Sequence, residues 1–316
     1  MSVISPLAIT FMGSPDFAIP ALRALCDAGH NVSLVVTQPD RPAGRGKKQG
    51  IQPVKVEATK LKIPVFQPES FKNLKNMERL IEASPDLIVV AAYGIILPVQ
   101  VLKIPTLDTI NIHPSLLPRW RGPSPIQSAI LEGDNITGVS IISLNEHMDA
   151  GPILMQKEVL IGAEETAGQL SDRLAEAGAA ALLECVDTMQ KGDISSRQQN
   201  IKEATFCKLI SKEMGELNRG MTLAQAERSV RAYSPWPGAF VNYRGSKLAI
   251  WRAHGVPIEM KVPYGTFLKY DDSPAINLPG GILVIDELQK SGRSRIKGSD
   301  FLNGERGVLQ KIDFVK

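Results

Sequence analysis

Two side chains close together in this 316-residue chain are suited to stabilising a developing oxyanion. Asn111 and His113 stand two residues apart in a strand-like run, so both should project from the same side of the strand. An amide donor beside an imidazole can hold the negative charge that forms on a carbonyl oxygen during acyl transfer. The pair could also satisfy the backbone at a polar strand end, and taken alone it favours that simpler interpretation.

A carboxylate in a later turn strengthens the catalytic interpretation. Asp149 precedes Ala and Gly and follows the strand-like run 138–144, and such a turn can present its side chain from a loop. A carboxylate next to His113 would favour the imidazolium and orient the ring. The sequence spacing does not bring the two together, and Asp149 could equally cap its own turn.

The elements that must position these side chains are strands alternating with helices. This alternation predicts an α/β, Rossmann-like domain with a mostly parallel sheet covered on both faces. Four apolar runs predict its first strands, at residues 7–11, 32–36, 86–92 and 109–112. Ligands bind beyond the carboxyl ends of such strands, where Gly13, Tyr93 and the loop after Ile112 should meet. A stretch rich in Ala, Leu and Glu at 164–191 predicts one long closing helix.

The pattern changes after residue 191. Residues 192–210 are polar and predict a linker between a catalytic domain at 1–191 and a second domain at 211–316. Short alternating segments separated by Gly, Pro and Asp predict a small antiparallel, OB-like β-barrel in that second domain. The corresponding runs are a helix at 223–232 and strands at 239–243, 247–251, 281–285 and 308–314.

Charge divides unevenly between the two predicted domains. Residues 211–316 hold 16 Lys and Arg against 11 Asp and Glu, whereas residues 1–210 hold 20 against 22. A basic second domain fits a nucleic-acid-holding role, although ordinary variation in surface charge would explain it equally well. No apolar stretch is long enough to span a membrane, and three scattered cysteines are typical of a reducing, cytoplasmic setting. The simplest expectation for the oligomeric state is a monomer.

A basic loop follows the second predicted strand. Residues 39–50 carry Arg41, Arg45, Lys47 and Lys48 against one acid, Asp40, together with three glycines and two prolines. Such a loop cannot pack a core, but it can reach phosphates at the ligand side of the sheet. The alternative is a solvated surface loop.

Five ordered blocks of residues identify the chain with a known group. They are Gly13-Ser-Pro-Asp-Phe17, Thr37 to Lys48, Ala92-Tyr-Gly94, Leu116 to Gly122 and Arg231 to Gly238. Together with Asn111-x-His113 and Asp149, these blocks resemble the folate-dependent formyltransferases, and the match weakens after about residue 250. Within that group the chain most resembles the branch that formylates initiator methionyl-tRNA.

The resemblance implies a direct formyl transfer from 10-formyltetrahydrofolate, without a covalent enzyme intermediate and without a metal. It implies catalytic roles for Asn111, His113 and Asp149, and contact of the pterin with Ser115, Leu116, Leu117 and Pro118. It also implies that Arg41, Arg45, Lys47 and Lys48 bind initiator methionyl-tRNA, with Arg45 the most important of the four.

The same residues also bear on alternative functions for the chain. A UDP-aminosugar formyltransferase would share the triad but not the long basic loop, and a glycinamide ribonucleotide enzyme would not need the second domain. A non-enzymatic tRNA-binding protein would not need all of Asn111, His113 and Asp149. The first strand is not followed by G-x-G-x-x-G, and the chain lacks G-x-x-x-x-G-K-[ST], so neither NAD nor ATP use is supported. Arg119, Trp120 and Arg121 could contact folate or nucleotide, or Trp120 could pack on the sheet.

Overall fold

The computed structural model describes residues 5–43 and 48–304 of the chain. These residues divide into two compact units. The N-terminal unit contains the described residues up to Pro125, Ile136–Leu160 and Ser171–Lys208. The C-terminal unit contains Ile126–Asn135, Ile161–Leu170 and the described residues from Leu209 onward. No helix in this described part of the chain is long and apolar enough to cross a membrane.

Nine strands occur in the described part of the N-terminal unit. They are β1 (Ala8–Gly13), β2 (Asn31–Val36), β3 (Arg41–Ala43), β4 (Lys48–Gly50), β5 (Val65–Phe66), β6 (Leu87–Ala91), β7 (Asp108–His113), β8 (Ile136–Ser143) and β9 (Ile153–Leu160). The helices along this stretch of chain are α1 (Ile19–Asp27), α2 (Pro53–Lys60), α3 (Leu74–Glu82), α4 (Val99–Leu102), α5 (Pro125–Glu132) and α6 (Ala167–Gln190).

Seven of these strands form one sheet in the order β5-β2-β1-β6-β7-β8-β9. The first five run parallel, whereas β8 runs antiparallel to β7 and β9 antiparallel to β8. Every residue of β6 is buried, as expected for a strand covered on both faces. The strand order reverses between β1 and β6, which places the topological switch point at the carboxyl ends of these two strands. The predicted Rossmann-like domain with a mostly parallel sheet is therefore confirmed.

The C-terminal unit contains most of α5, the first residues of α6 and a second sheet. Its strands in the described part of the chain are β10 (Ala239–Tyr243), β11 (Ser246–Val256), β12 (Phe267–Tyr270), β13 (Ser273–Leu278), β14 (Gly281–Lys290) and β15 (Ile296–Lys297). It also contains the helices α7 (Leu223–Ala232) and α8 (Gly298–Gly304). The sheet is antiparallel, in the order β10-β11-β14-β13-β12, with β15 paired to β14. Tyr243, Phe267 and Phe301 meet edge to face in its core, with ring centroids 5.1–6.0 Å apart.

The predicted antiparallel sheet is confirmed, but a closed barrel is not. Among the described residues, the two end strands of the path, β10 and β12, do not pair with each other. The predicted strand at 308–314 lies outside the described residues. Strands β12, β13 and β15 were not predicted, since their segments are short and interrupted by Pro, Asp and Gly.

Two smaller differences from the sequence predictions have local causes. The long helix begins at Ala167 because Thr166 and Gln169 cap its start: Gln169 Oε1 accepts from the backbone N–H of Thr166, and Thr166 Oγ1 accepts from that of Gln169. The basic loop is not wholly irregular. Arg41 pairs with Gly50 at the base of the β3–β4 hairpin, so a short antiparallel ladder holds its two ends together.

Candidate active site

Strand β7 carries Asn111 and His113 towards the carboxyl edge of the sheet. The ladders from β7 to β6 and from β7 to β8 run through these residues without a register shift. Residues two apart in such a regular strand face the same side, so the alternation predicted for Asn111 and His113 holds for the backbone. His113 is only 4% exposed, and Asn111 is half-buried.

The His113 ring lies between two hydrogen-bond acceptors. Its Nε2 is 2.9 Å from the carbonyl oxygen of Trp120, and its Nδ1 is 3.7 Å from Asp149 Oδ1. A carbonyl can only accept, so Nε2 carries a hydrogen and donates it to Trp120. A second hydrogen on Nδ1 would point towards the carboxylate. Both ring nitrogens of His113 therefore face an oxygen that can accept a hydrogen bond.

Asp149 faces this ring and does not cap its own turn. Its Oδ2 accepts a hydrogen bond of 2.8 Å from the backbone N–H of Gly122, a residue distant in the sequence. Asp149 and Trp120 both have left-handed backbone conformations, with φ of 49° and 61°. Non-glycine residues rarely adopt this region outside turns, and they concentrate at functional sites, where the surrounding structure holds them in place.

The loop that carries Asp149 has to turn back to reach His113. Because β8 runs antiparallel to β7, its last residue, Ser143, pairs with Ile110 near the start of β7. The return is tight: a Cβ on Gly151 would lie 1.7 Å from the carbonyl oxygen of Ser143. Only glycine fits at this position. The antiparallel pair β8–β9 and its close-packed loop are thus what brings the carboxylate to the ring.

The segment predicted as a linker runs along this site. Arg197 exchanges two backbone hydrogen bonds of 2.8 Å with Ile153 at the start of β9. Further along, Thr205 Oγ1 accepts from the backbone N–H of Trp120 at 2.9 Å, and the Thr205 carbonyl accepts from Arg121. Cys207 continues this pairing through its backbone N–H, which donates to the Arg121 carbonyl at 2.8 Å. Residues 197–207 therefore form one side of the site.

Gln199 forms four side-chain hydrogen bonds in this segment. Its Nε2 donates to the carbonyl oxygens of Asp149 and Gly151, at 2.9 and 2.7 Å. Its Oε1 accepts from Nε and Nη2 of Arg121, at 3.0 and 2.8 Å. Arg121 is only 5% exposed, so this guanidinium, which the sequence suggested as a ligand contact, is buried in the protein beside the Asp149 loop.

The predicted folate segment is mostly buried in this structure. Ser115 has no exposed surface and Leu117 only 2%, whereas Leu116 and Pro118 are partly exposed. The hydroxyl of Ser115 donates to the carbonyl of Arg119 at 2.6 Å, so it stabilises the turn. Any side-chain contact with a pterin through this segment would therefore fall on Leu116 and Pro118.

The switch point of the sheet has its own polar contacts. The side chain of Ser14, after β1, donates to the carbonyl of Tyr93, after β6, at 3.5 Å and accepts from the backbone N–H of Gln38 at 3.1 Å. Gln38 also donates from its side chain to the Tyr93 carbonyl, at 2.8 Å. The loops after β1 and β6 therefore meet as predicted, and the loop after β2 joins them, which was not predicted. These contacts do not include the loop after Ile112, which was also expected at this place. Burial raises the pKa of the Tyr93 phenol, whose hydroxyl has no hydrogen-bond partner among the described residues.

Of the four predicted tRNA-binding residues, two can be placed. Arg41 is exposed in β3, and Lys48 begins β4. Arg45 and Lys47 lie outside the described residues. The acid of the loop, Asp40, forms an ion pair with Lys55 and accepts hydrogen bonds from the Gln67 side chain and from the Gln52 backbone. These contacts, led by the Lys55 hydrogen bond, lower the pKa of Asp40 and anchor the base of the hairpin.

Sequence reasoning missed the contributions of Gln199, Thr205 and the Trp120 carbonyl. A polar stretch between two domains is normally read as solvent-exposed, and nothing in the order of its residues indicates which side chain turns inward. The carbonyl leaves no trace in residue types at all. Arg119 is exposed and stacks over the Trp120 ring, with its guanidinium carbon 4.6 Å from the ring centroid.

The chain matches two protein-family models. Residues 7–186 match the family described as "Formyl transferase", and residues 209–306 match "Formyl transferase, C-terminal domain". A methionyl-tRNA formyltransferase of Methylococcus capsulatus is 41% identical over 94% of this chain and 96% of its own length. A methionyl-tRNA formyltransferase of Coxiella burnetii is 42% identical, over 96% of this chain and 97% of its own length.

Solved structures share the fold at lower identity. An N-formyltransferase of Helicobacter canadensis, in complex with folinic acid and dTDP-3-aminofucose, superimposes with a TM-score of 0.67 at 17% identity. The match covers 90% of this chain and 99% of that one. HypX of Aquifex aeolicus, in complex with tetrahydrofolic acid, gives a TM-score of 0.63 at 22% identity over 98% of this chain. The chain spans about half of HypX, 50%.

Proposed function

Since this chain belongs to the methionyl-tRNA formyltransferase family, we propose that it transfers the formyl group of 10-formyltetrahydrofolate to the amino group of methionine on initiator tRNA, with Asn111, His113 and Asp149 as the catalytic side chains. The observation that carries the assignment of these residues is the approach of Asp149 Oδ1 to within 3.7 Å of His113 Nδ1. Asp149 is distant in sequence from both His113 and Gly122, so its contacts with them are not those of a carboxylate that caps its own turn.

The chemistry of these side chains fits a formyl donor. When bound, 10-formyltetrahydrofolate supplies the carbonyl carbon that the methionine amine attacks. Asn111 donates from its side-chain amide to the formyl oxygen, where negative charge develops. His113, held as the imidazolium, adds positive charge beside the same oxygen. These donors act on a charge that exists only during transfer, so they accelerate the reaction without having to bind the substrates more tightly.

Asp149 holds His113 charged and takes part in proton transfer. The carboxylate, 3.7 Å from the ring, stabilises the imidazolium and helps to remove the proton of the attacking amine. The transfer is completed when the bond between the formyl carbon and N10 breaks and N10 takes up a proton, so that tetrahydrofolate leaves. Its Oδ2 is fixed by the Gly122 N–H, so the carboxylate does not need to reorganise during the reaction. His113 Nε2 donates to Trp120 here, and a direct bond to the formyl oxygen requires Nε2 to exchange this carbonyl for the substrate.

The folate lies at the carboxyl edge of the sheet in this proposal. Leu116 and Pro118 supply apolar contact to the pterin, and Ser115 and Leu117 support them from inside the protein. Support for this position comes from the partly exposed surface of the first pair, on the segment that directly follows His113. No step of the transfer requires a metal ion.

The initiator tRNA is bound by the basic loop, residues 39–50, and by the C-terminal unit. Arg41, Arg45, Lys47 and Lys48 contact the end of the acceptor stem, with Arg45 the most important. The C-terminal unit offers a cavity of about 280 Å³ whose described lining includes four cations, Arg244, Lys247, Lys290 and Arg293, and no acidic residue. Burial lowers the pKa of Lys247, and the nearby Lys212 lowers it further. An anionic phosphodiester in the cavity would relieve this repulsion.

This cavity can be tested by the salt dependence of tRNA binding. K247A and R293A should each weaken binding at low salt and reduce the slope of log K against log salt by about 0.7–0.9, one phosphate contact. K269A is the control, because Lys269 is exposed in the same unit and pairs with Asp272 at 3.6 Å. Unchanged slopes for K247A and R293A would remove the cavity from the binding surface.

Further parts of the proposal concern organisation. We assign residues 1–191 to the catalytic domain, 192–210 to the linker and 211–316 to an OB-like, tRNA-binding domain. The register shifts in β11 around Arg252 support the OB-like interpretation, because such bulges bend a strand and help a sheet to curl. We also propose that the protein is cytoplasmic and a monomer.

The decisive experiment follows labelled formyl from 10-formyltetrahydrofolate to methionyl initiator tRNA. Elongator methionyl-tRNA and a UDP-aminosugar run in parallel as competing acceptors. Selective formylation of the initiator is the expected result. Formylation of the sugar nucleotide with no transfer to tRNA would show that the proposed acceptor is wrong. It would not contradict the proposed catalytic roles of Asn111, His113 and Asp149.

A further inference from the structure

The segment between Arg197 and Cys207 contacts both loops that hold the His113 ring, the Asp149 loop and the loop of Trp120 and Arg121. Its contacts reach the Asp149 loop through Gln199, and Trp120, the acceptor of His113, through Thr205. We propose that Gln199 is a positioning residue for catalysis, which sets the backbone of Asp149 and thereby the place of its carboxylate. This inference rests on the catalytic role proposed for Asp149.

The hydrogen-bonding capacity of the Gln199 amide is fully used. A primary amide has two N–H donors and two acceptor lone pairs. Here Nε2 donates to the carbonyls of Asp149 and Gly151, and Oε1 accepts two bonds from Arg121. Turning the amide over would place Oε1 against two carbonyl oxygens and Nε2 against a guanidinium. The network therefore accepts the side chain in one orientation only.

Asp149 is held at two places by neighbouring residues of one loop. Arg121 acts on its backbone through Gln199, and Gly122 acts on its carboxylate through a direct N–H bond of 2.8 Å. Both holds are needed because the φ of Asp149, 49°, is unfavourable for a residue with a Cβ. Without Gln199 the backbone of this residue is free to relax towards an ordinary conformation, which would move the carboxylate away from the ring.

The chemistry of an amide is required at this position. Gln199→Glu keeps an acceptor for Arg121 but removes both donors and places a carboxylate beside the carbonyls of Asp149 and Gly151. Gln199→Met keeps the approximate length and removes both functions. Gln198→Glu is the matched control, because Gln198 is the adjacent residue of the same type and is exposed.

The first measurement compares steady-state formylation of initiator methionyl-tRNA by the parent chain and these variants. Q199E and Q199M should lower kcat by about 10- to 100-fold, an effect smaller than removal of a direct oxyanion donor. KM for the tRNA should stay within about twofold, because Gln199 contacts the catalytic loop and not a substrate. Q198E should stay within about twofold of the parent chain in both constants.

The second measurement is a double-mutant cycle with Asp149→Asn, which separates positioning from general structural support. If Gln199 acts through the carboxylate, adding Q199E to D149N should lower kcat by less than about threefold. Full additivity of the two losses would overturn the proposal. So would loss of the melting transition in both Q199E and Q199M, because Gln199 would then be needed for folding.

The two hypotheses can fail separately in this design. If D149N alone kept turnover near the parent value, the catalytic role of Asp149 would be wrong. If D149N were strongly impaired and Q199E added its full loss, only the positioning role of Gln199 would be wrong.

Discussion

Replacement of Asp149 by asparagine isolates the charge of the carboxylate from its size. Asparagine keeps an oxygen that can accept the Gly122 N–H, so the loop should stay in place. In the structure Oδ1 lies 3.7 Å from His113 Nδ1. Two unit charges at this separation attract by about 4.5 kcal/mol at an effective dielectric constant of about 20. The side chains are 16% and 5% exposed, which limits screening by water.

This interaction energy sets the upper limit of the expected loss in rate. A factor of ten in rate corresponds to about 1.36 kcal/mol, so D149N should lower kcat by up to about 10³-fold. KM for initiator tRNA should change little, since Asp149 is not among the residues proposed to bind the tRNA. The melting temperature should also change little, since asparagine keeps the hydrogen bond from the Gly122 N–H.

The assay is single-turnover transfer of labelled formyl at saturating donor and tRNA, which excludes product release from the measured rate. Asp193→Asn is the control for loss of one negative charge, because Asp193 is an exposed aspartate. A D149N rate within about threefold of the parent value would refute the electrostatic role derived from the 3.7 Å approach.

Three further predictions concern other parts of the chain. Asn111→Ala should lower kcat by about 100- to 1000-fold at unchanged melting temperature, and near-normal turnover would exclude Asn111 as an oxyanion donor. Thr222→Ala removes the capping box that Thr222 forms with Gln225, so a loss of about 1 kcal/mol should appear as a lower urea midpoint; an unchanged midpoint would contradict it. Burial lowers the pKa of His30, and its Nδ1 accepts a hydrogen bond from the Leu7 N–H. The neutral ring therefore contributes fully to the stability of the folded protein above about pH 6.5, and this contribution is lost as the pH falls through the folded-state pKa. His30→Asn keeps an acceptor that does not titrate, so its melting temperature should fall less than that of the parent between pH 7.5 and 5, and equal falls would argue against the sign.

The strands and their ligand edge could be predicted from the sequence because they depend on local patterns. Apolar runs, which a strand needs when both its faces are buried, identified β1, β2, β6 and β7. The pleat of a strand is enough to place Asn111 and His113 on the same side of β7. The edge where these strands end is a property of any doubly wound sheet, so the neighbourhood of His113 could be expected before its partners were known.

The approach of Asp149 to His113 could not be predicted because it depends on contacts distant in sequence. The direction of β8, the return of its loop past Ser143 and the hold of Gln199 are set by tertiary packing, which single-residue propensities do not encode. The closed barrel was expected from the spacing of short strands. Spacing indicates the number of segments, but closure depends on pairing between strands at opposite ends of the sheet.

The path of residues 197–207 bears on how the protein can be divided. Neither family model includes residues 187–208, which lie between the matches at 7–186 and 209–306. An N-terminal half cut after Lys191 would leave Arg121 buried without the amide that accepts from it, and it would remove the hydroxyl that binds Trp120. A half cut after Lys208 keeps both. Chimaeras that exchange C-terminal halves between relatives should therefore be joined after Lys208 and not after Lys191, because residues 192–208 belong to the N-terminal unit.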